Sequence, residues 1–280
     1  MIVGYERLQM TAHKGYADGP DGQVHYRDAG TGPPLLLLHQ TPCHLGMFDA
    51  AWPLLVAAGL RPIAVDTPGY GQSDPPRGTP TITGYARAAV AVLDHLRIDC
   101  ADVLGHHTGA ATAAELAASH PARVRRVILN GPPLFTPDER AAYAAAVAAS
   151  PVPKPRADGG HLKEIWDRRQ HFTPGWTRVT AMHRGLVMML EAQLGAGGEL
   201  AGYTAAFAHD VAVPLRALRQ PALILTNTGD DLYVAACRAR DLRPDFAFVA
   251  LPDGTHDIVD EQPEAWARAV TAFLRPPAAP

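Results

Sequence analysis

The chain has 280 residues, enough to bury the core of one large α/β domain carrying an insertion. With 47% hydrophobic residues and a formal net charge of −3, it is neither disordered nor fibrous, and nothing in its balance points to nucleic acid or an anionic membrane as partner. Three widely spaced cysteines, Cys43, Cys100 and Cys237, speak against both a disulfide framework and a CxxC metal site.

The expected elements begin with an antiparallel hairpin, Lys14–Tyr16 and Val24–Asp28, around the turn residues Asp18-Gly19-Pro20-Asp21-Gly22. The apolar run Pro33 to Leu38 is far too short to span a bilayer, and residues 1–20 lack the apolar region of a signal peptide, so a cytoplasmic protein is expected. Short apolar runs then recur as Leu35–Leu38, Pro62–Val65, Asp102–Leu104, Val124–Leu129, Ala222–Thr226 and Phe246–Leu251. Helical patterns lie between several of them, at Gly84–Leu96, Thr112–Ser119 and Pro263–Leu274. Buried strands alternating with helices predict a mostly parallel central sheet flanked by helices on both faces.

That rhythm breaks between Pro132 and Leu218, where Asp138–Ala149, Leu162–Arg169, Thr180–Ala192 and Leu200–Ala208 read as helices with no convincing strand. The expected organisation is therefore a core in two parts, residues 1–131 and 219–280, interrupted by a helical cap at 132–218. The loop Ser150–Pro155 falls inside the cap, and Pro276 to Pro280 form a terminal tail.

The most informative stretch is Gly105-His106-His107-Thr108-Gly109, where a strand meets a helix start and glycines stand two residues either side of one position. This is the pattern of the nucleophile elbow, G-x-S-x-G, with an imidazole where serine is expected. Leu36-Leu37-Leu38-His39-Gln40-Thr41-Pro42 resembles an H-G-x-P oxyanion loop, and Val65-Asp66-Thr67-Pro68-Gly69-Tyr70-Gly71-Gln72-Ser73-Asp74 resembles a D-x-P-G-x-G-x-S segment. Asp230 follows a strand, and Gly254-Thr255-His256 matches a G-x-H loop. Together, over residues 14 to 274, the chain resembles the α/β-hydrolase fold family in its lid-bearing esterase, haloalkane-dehalogenase and epoxide-hydrolase branch.

The resemblance implies that His256 is the general base, that Asp230 orients it through Nδ1, and that the backbone N–H groups of Thr41 and Thr108 form the oxyanion hole. Asp230 is preferred over Asp231 because the turn after the strand points it back toward His256. Two residues depart from the family pattern. Gln40 replaces a glycine, so its amide either donates to an oxygen or narrows the mouth of the pocket. His107 replaces the nucleophile, and Thr108 does not stand in for it, being one residue beyond the apex.

Four roles are open to His107. It could attack an acyl carbon directly, since imidazole with an ordinary pKa of about 6.5 is mainly neutral at neutral pH. It could divide acid and base work with His256, a chemistry that serves ester or lactone hydrolysis but also a cofactor-free lyase, a decarboxylase or a carbon–carbon hydrolase. It could join His256 and Asp230 as metal ligands, although an Asp230 that orients His256 is not itself a ligand. Finally, it could block the site and leave an inactive ligand-binding protein.

The favoured reading is a hydrolase of a small, largely apolar ester or lactone using His107, His256 and Asp230, with no cofactor and no metal, and a small-molecule substrate as partner. Gln40, His44 and Trp166 are expected to touch that substrate. His39 and His106 are expected to be structural, and Cys43 is not expected to replace the nucleophile, since no adjacent base is evident in the sequence.

Overall fold

The computed structural model describes residues 12–150, 154–172, 179–194 and 200–275. The terminal tail, the first residues and part of the loop after Ser150 lie outside them. In chain order the elements are β1 (His13–Asp18), β2 (Gln23–Asp28), β3 (Pro34–Leu38), α1 (Trp52–Ala57), β4 (Arg61–Val65), α2 (Ile82–His95), β5 (Ala101–His106), α3 (Thr108–Ser119) and β6 (Val124–Asn130). Five helices follow: α4 (Pro137–Ala149), α5 (Gly160–Phe172), α6 (Val179–Leu194), α7 (Ala201–Ala208) and α8 (Ala212–Ala217). The chain then returns to the sheet with β7 (Ala222–Asn227), α9 (Tyr233–Leu242), β8 (Ala247–Leu251), α10 (Ile258–Glu261) and α11 (Pro263–Leu274).

The strands form a single sheet in the order β1-β2-β4-β3-β5-β6-β7-β8 among the described residues. β1 pairs antiparallel with β2 and β2 with β4, while every pairing from β4 through β8 is parallel. The leucine run of β3 shows why both faces are covered. Leu36 and Leu38 enter an apolar cluster with residues of α2 and α3, whereas Leu35 and Leu37 enter a second cluster with α1 and Trp266 of α11. Side chains alternate across a strand, so an unbroken apolar run requires a core on each side. The fold is therefore the α/β-hydrolase arrangement, with helices α4 to α8 in the connection between β6 and β7.

α3 begins at Thr108, four residues earlier than its apolar pattern predicts. Its first turn is Thr-Gly-Ala-Ala, too small to show periodicity but fully buried against the sheet. α1, α8, α9 and α10 are additional to the predicted elements. Among the described residues, no helix is long and apolar enough to cross a membrane.

Candidate active site

β5 ends at His106, α3 starts at Thr108, and His107 forms the apex between them. Its φ of 50° and ψ of −108° lie in a sparsely populated region for a residue with a side chain, a conformation costing about 1–3 kcal/mol. The surroundings hold it there: the His107 N–H donates to the Asn130 carbonyl at 2.8 Å, and its own carbonyl accepts from the N–H groups of Ala110 and Ala111. The flanking glycines let helix and strands close up. A Cβ at Gly105 would stand 1.9 Å from the Gly109 oxygen, and one at Gly109 would stand 2.1 Å from that of Leu38.

From this apex the imidazole reaches across the sheet. His107 follows β5 and Asp230 follows β7, so the ring must pass over the end of β6 lying between them. The residue there is Gly131, at φ 58°, where a Cβ would lie 2.5 Å from Cδ2 of His107 and 3.0 Å from Oδ2 of Asp230. Sequence reasoning passed over Gly131; its only signal is a glycine directly after a buried strand.

Across that gap, Nε2 of His107 lies 2.9 Å from Oδ2 of Asp230, whose side chain is fully buried. The other oxygen, Oδ1, accepts from the Leu232 N–H at 2.9 Å. Burial by itself raises the Asp230 pKa, but the neighbouring imidazoles of His107 and His106 and these two hydrogen bonds outweigh it and hold the carboxyl below its ordinary value. An ionised carboxylate only accepts, so the proton of the contact sits on Nε2, leaving Nδ1 as the ring nitrogen not engaged by Asp230.

The acid therefore serves a different residue from the one the resemblance implies. Asp230 was expected on His256; instead, it is paired with His107, because an imidazole at the apex extends far enough to occupy the carboxylate that a serine would leave free. His256 Nε2 lies 3.7 Å from Oδ2 of its neighbour Asp257. The loop carrying His256 is tied down through its backbone. The Asn227 amide donates to the carbonyls of Asp253 and Thr255, and the Thr255 N–H and hydroxyl both donate to Glu261.

His106 is fully buried, stacked on His107 with ring centroids 4.3 Å apart and planes inclined by 21°. Its Nε2 donates to the carbonyl of His256 at 3.0 Å. Burial first, then the adjacent His107, push its pKa down to about 3, so it remains a neutral donor. The Gln40 side-chain amide donates to the same His256 carbonyl at 3.3 Å, which answers how the residue replacing glycine is used. On the other side, buried His39 donates from Nδ1 to the Gln40 carbonyl at 2.9 Å and accepts the Thr67 N–H at Nε2 at 3.0 Å. Burial lowers its pKa to about 4, so the loop carrying Gln40 and Thr41 is anchored by a neutral ring.

These residues open on a cavity of about 390 Å³. His107, His256, Gln40, Thr41 and Thr108 all line it. Among the described residues, neither the Thr41 nor the Thr108 N–H has a protein acceptor, as an oxyanion hole requires. Two expected substrate contacts do not line the cavity. His44 caps a short 3-10 turn, accepting the Gly46 N–H at Nδ1, and its Nε2 is 3.0 Å from Glu191 of α6, which draws the ring away. Trp166 stands half-buried on α5, outside the lining, while Met189 of α6 is part of it. Among the described residues, no three His, Cys, Asp or Glu side chains gather so as to hold a metal ion.

A family model described as alpha/beta hydrolase fold matches residues 33–263. A bifunctional epoxide hydrolase 2 of Mus musculus is 32% identical over 138 residues, covering 48% of this chain and 24% of the relative, so the chain spans about a quarter of that protein's length. A 2-(acetamidomethylene)succinate hydrolase of Mesorhizobium japonicum is 26% identical over 269 residues, covering 90% of this chain and 91% of the relative. Among solved structures, a thermophilic esterase from Thermogutta terrifontis superposes with a TM-score of 0.73 at 23% identity, over 94% of this chain and 98% of the other.

Proposed function

The chain belongs to the α/β-hydrolase fold family, and from that premise we propose that it is a hydrolase of a small, largely apolar ester or lactone whose base is the His107–Asp230 pair. The 2.9 Å contact between Nε2 of His107 and Asp230 carries the reading, since it fixes the tautomer and supports the imidazolium formed when Nδ1 takes a proton. Nδ1 is the ring nitrogen beside the Cβ-bearing carbon, too crowded for attack on an acyl carbon but not for accepting a proton. Nε2, the less hindered nitrogen, is held by the carboxylate. Proton transfer is therefore favoured over covalent catalysis.

In this mechanism Nδ1 of His107 removes a proton from water as the water oxygen bonds to the carbonyl carbon. The resulting oxyanion is received by the N–H groups of Thr41 and Thr108. The carbon–oxygen bond to the leaving group then breaks, and the imidazolium returns its proton to the departing alkoxide, so atoms and charge balance over the cycle. His256, fixed by the donors from His106 and Gln40, supplies a second imidazole for hydrogen bonding to the attacking water or leaving oxygen. Helices α4, α6 and α7, which contribute Tyr143, Met189 and Phe207 to the lining, act as the cap over the cavity.

The test is hydrolysis of a panel of neutral short-chain esters and lactones by the wild type, His107→Ala and Asp230→Asn. Both variants are expected to lose about 10²- to 10⁴-fold in kcat, the range of a positioned proton-transfer group. The mass of the protein quenched during turnover should remain that of the unmodified chain. An acyl adduct on His107 would overturn the non-covalent route, and undiminished turnover by His107→Ala would overturn the site.

A further inference from the structure

Part of the cavity wall is made of aromatic rings. Phe135 precedes α4, Tyr143 lies on α4, and Tyr203 and Phe207 lie on α7; all four line the cavity. Tyr143 and Phe207 stack at 5.1 Å with planes 22° apart, and Tyr203 stacks on Phe207 at 6.1 Å and 14°. Phe135 closes the group at 4.9 Å from Tyr143 and 5.7 Å from Phe207. These contacts brace one another into a fixed shelf, while Tyr143 keeps 44% of its surface exposed.

The charge lining is as informative. Among the described residues, no lysine or arginine reaches the cavity, and its one carboxylate is Asp231. An anionic substrate would lose its hydration against apolar rings, gain no lysine or arginine partner among the described residues, and face a like charge. The volume, near the small end of the range of about 300–1,000 Å³ for ligand sites, suits a compact ligand.

We propose that the cavity selects an uncharged substrate carrying an aromatic ring, which packs on the Phe135, Tyr143, Tyr203 and Phe207 shelf and presents its carbonyl to His107. The inference rests on reading the cavity as the substrate site. Its test uses binding and not turnover, so its failure is distinguishable from failure of the hydrolase reading. Three ketones serve as probes that cannot be hydrolysed: acetophenone, cyclohexyl methyl ketone of similar size, and 4-acetylbenzoate.

Calorimetric titration of the wild type is expected to show acetophenone binding about fivefold more tightly than the cyclohexyl ketone, the ratio expected of a ring contact beyond buried area. 4-Acetylbenzoate should bind at least about tenfold more weakly than acetophenone. Phe207→Leu, and independently Tyr143→Leu, should bring the aromatic to cyclohexyl ratio below about twofold. Circular dichroism establishes which variants are folded. Equal binding of the two neutral ketones by the wild type would overturn the proposal. Binding of 4-acetylbenzoate as tight as that of acetophenone, or a full aromatic preference in both folded variants, would do the same.

Discussion

Putting an imidazole at the apex of a nucleophile elbow changes which residue the buried acid serves. A serine hydroxyl stops short of the sheet's next connection, but the longer His107 ring passes over Gly131 and reaches Asp230. Sequence spacing picked out His107, Asp230 and His256 as the group lining this end of the sheet; it did not reveal the Asp230 partner, because pairing depends on how far a ring extends across three strands. Gly131→Ala is expected to break the pair, since its Cβ would need the space 2.5 Å from the His107 ring and φ 58° strains any side chain. Ester turnover should fall at least about 10²-fold, as for loss of the base itself, with the cavity still binding ligand. A second prediction concerns the His256 carbonyl, which accepts from both His106 and Gln40. Gln40→Leu or His106→Phe alone leaves it one donor, whereas the double variant leaves this partly buried acceptor with neither. Urea unfolding of the four proteins should give a coupling of about 1 kcal/mol beyond additivity.

Among the elements, those read most directly were the ones whose burial is written in apolar residues. β3 through β8 fall within a few residues of the apolar runs, and α11 coincides with its pattern at Pro263–Leu274. α9 was silent because its buried positions are only Ala235, Ala236 and Ala239, which show no apolar stripe, and α1 was silent because it spans only six residues. α4 is the opposite case: its helical pattern is legible at Asp138–Ala149, yet none of its residues is fully buried. Besides the stacking of Tyr143 on Phe207, it is held by polar ties, namely a capping box between Thr136 and Glu139 and two hydrogen bonds from the Arg238 guanidinium of α9 to the Glu139 carboxylate, at 2.5 and 2.8 Å. A helix secured this way opens locally at lower cost than α3, whose interior is packed against the sheet. Glu139→Ala removes half the capping box and the tie to α9 together. Hydrogen exchange followed by mass spectrometry should show α4 amides exchanging about fivefold faster, from a local loss of about 1 kcal/mol, with α3 unchanged. Because Tyr143 sits one turn beyond Glu139, KM for the ester should rise while kcat is retained.

The stability of the whole molecule is tied to the two buried neutral histidines that hold the site together. His39 anchors the Gln40–Thr41 loop and His106 joins the elbow to the His256 loop, and burial lowers their folded pKa values to about 4 and about 3. In the unfolded chain both titrate near the ordinary value of about 6.5. Above that pH neither state binds the protons, so neither ring makes stability depend on pH. Between about 6.5 and 4 the unfolded chain is protonated and the folded one is not, so stability falls with acidification by about 1.4 kcal/mol per pH unit for each histidine. Lowering the pH from 6.5 to 5 then removes about 3 kcal/mol, a large share of the roughly 5–15 kcal/mol that holds a domain folded. The depressed carboxyls of Asp66 and Asp230 are still ionised in both states over most of this window and add their own loss only as the pH falls below about 4. Urea midpoints at pH 7.5, 6.5 and 5 should therefore be level between the first two and drop sharply at the third. His106→Phe carries one titrating ring fewer, so its loss between pH 6.5 and 5 should be clearly smaller than that of the wild type, with His39 and the half-buried His209, also lowered by burial, accounting for the remainder. An equal loss in both proteins would place the acid sensitivity outside the elbow.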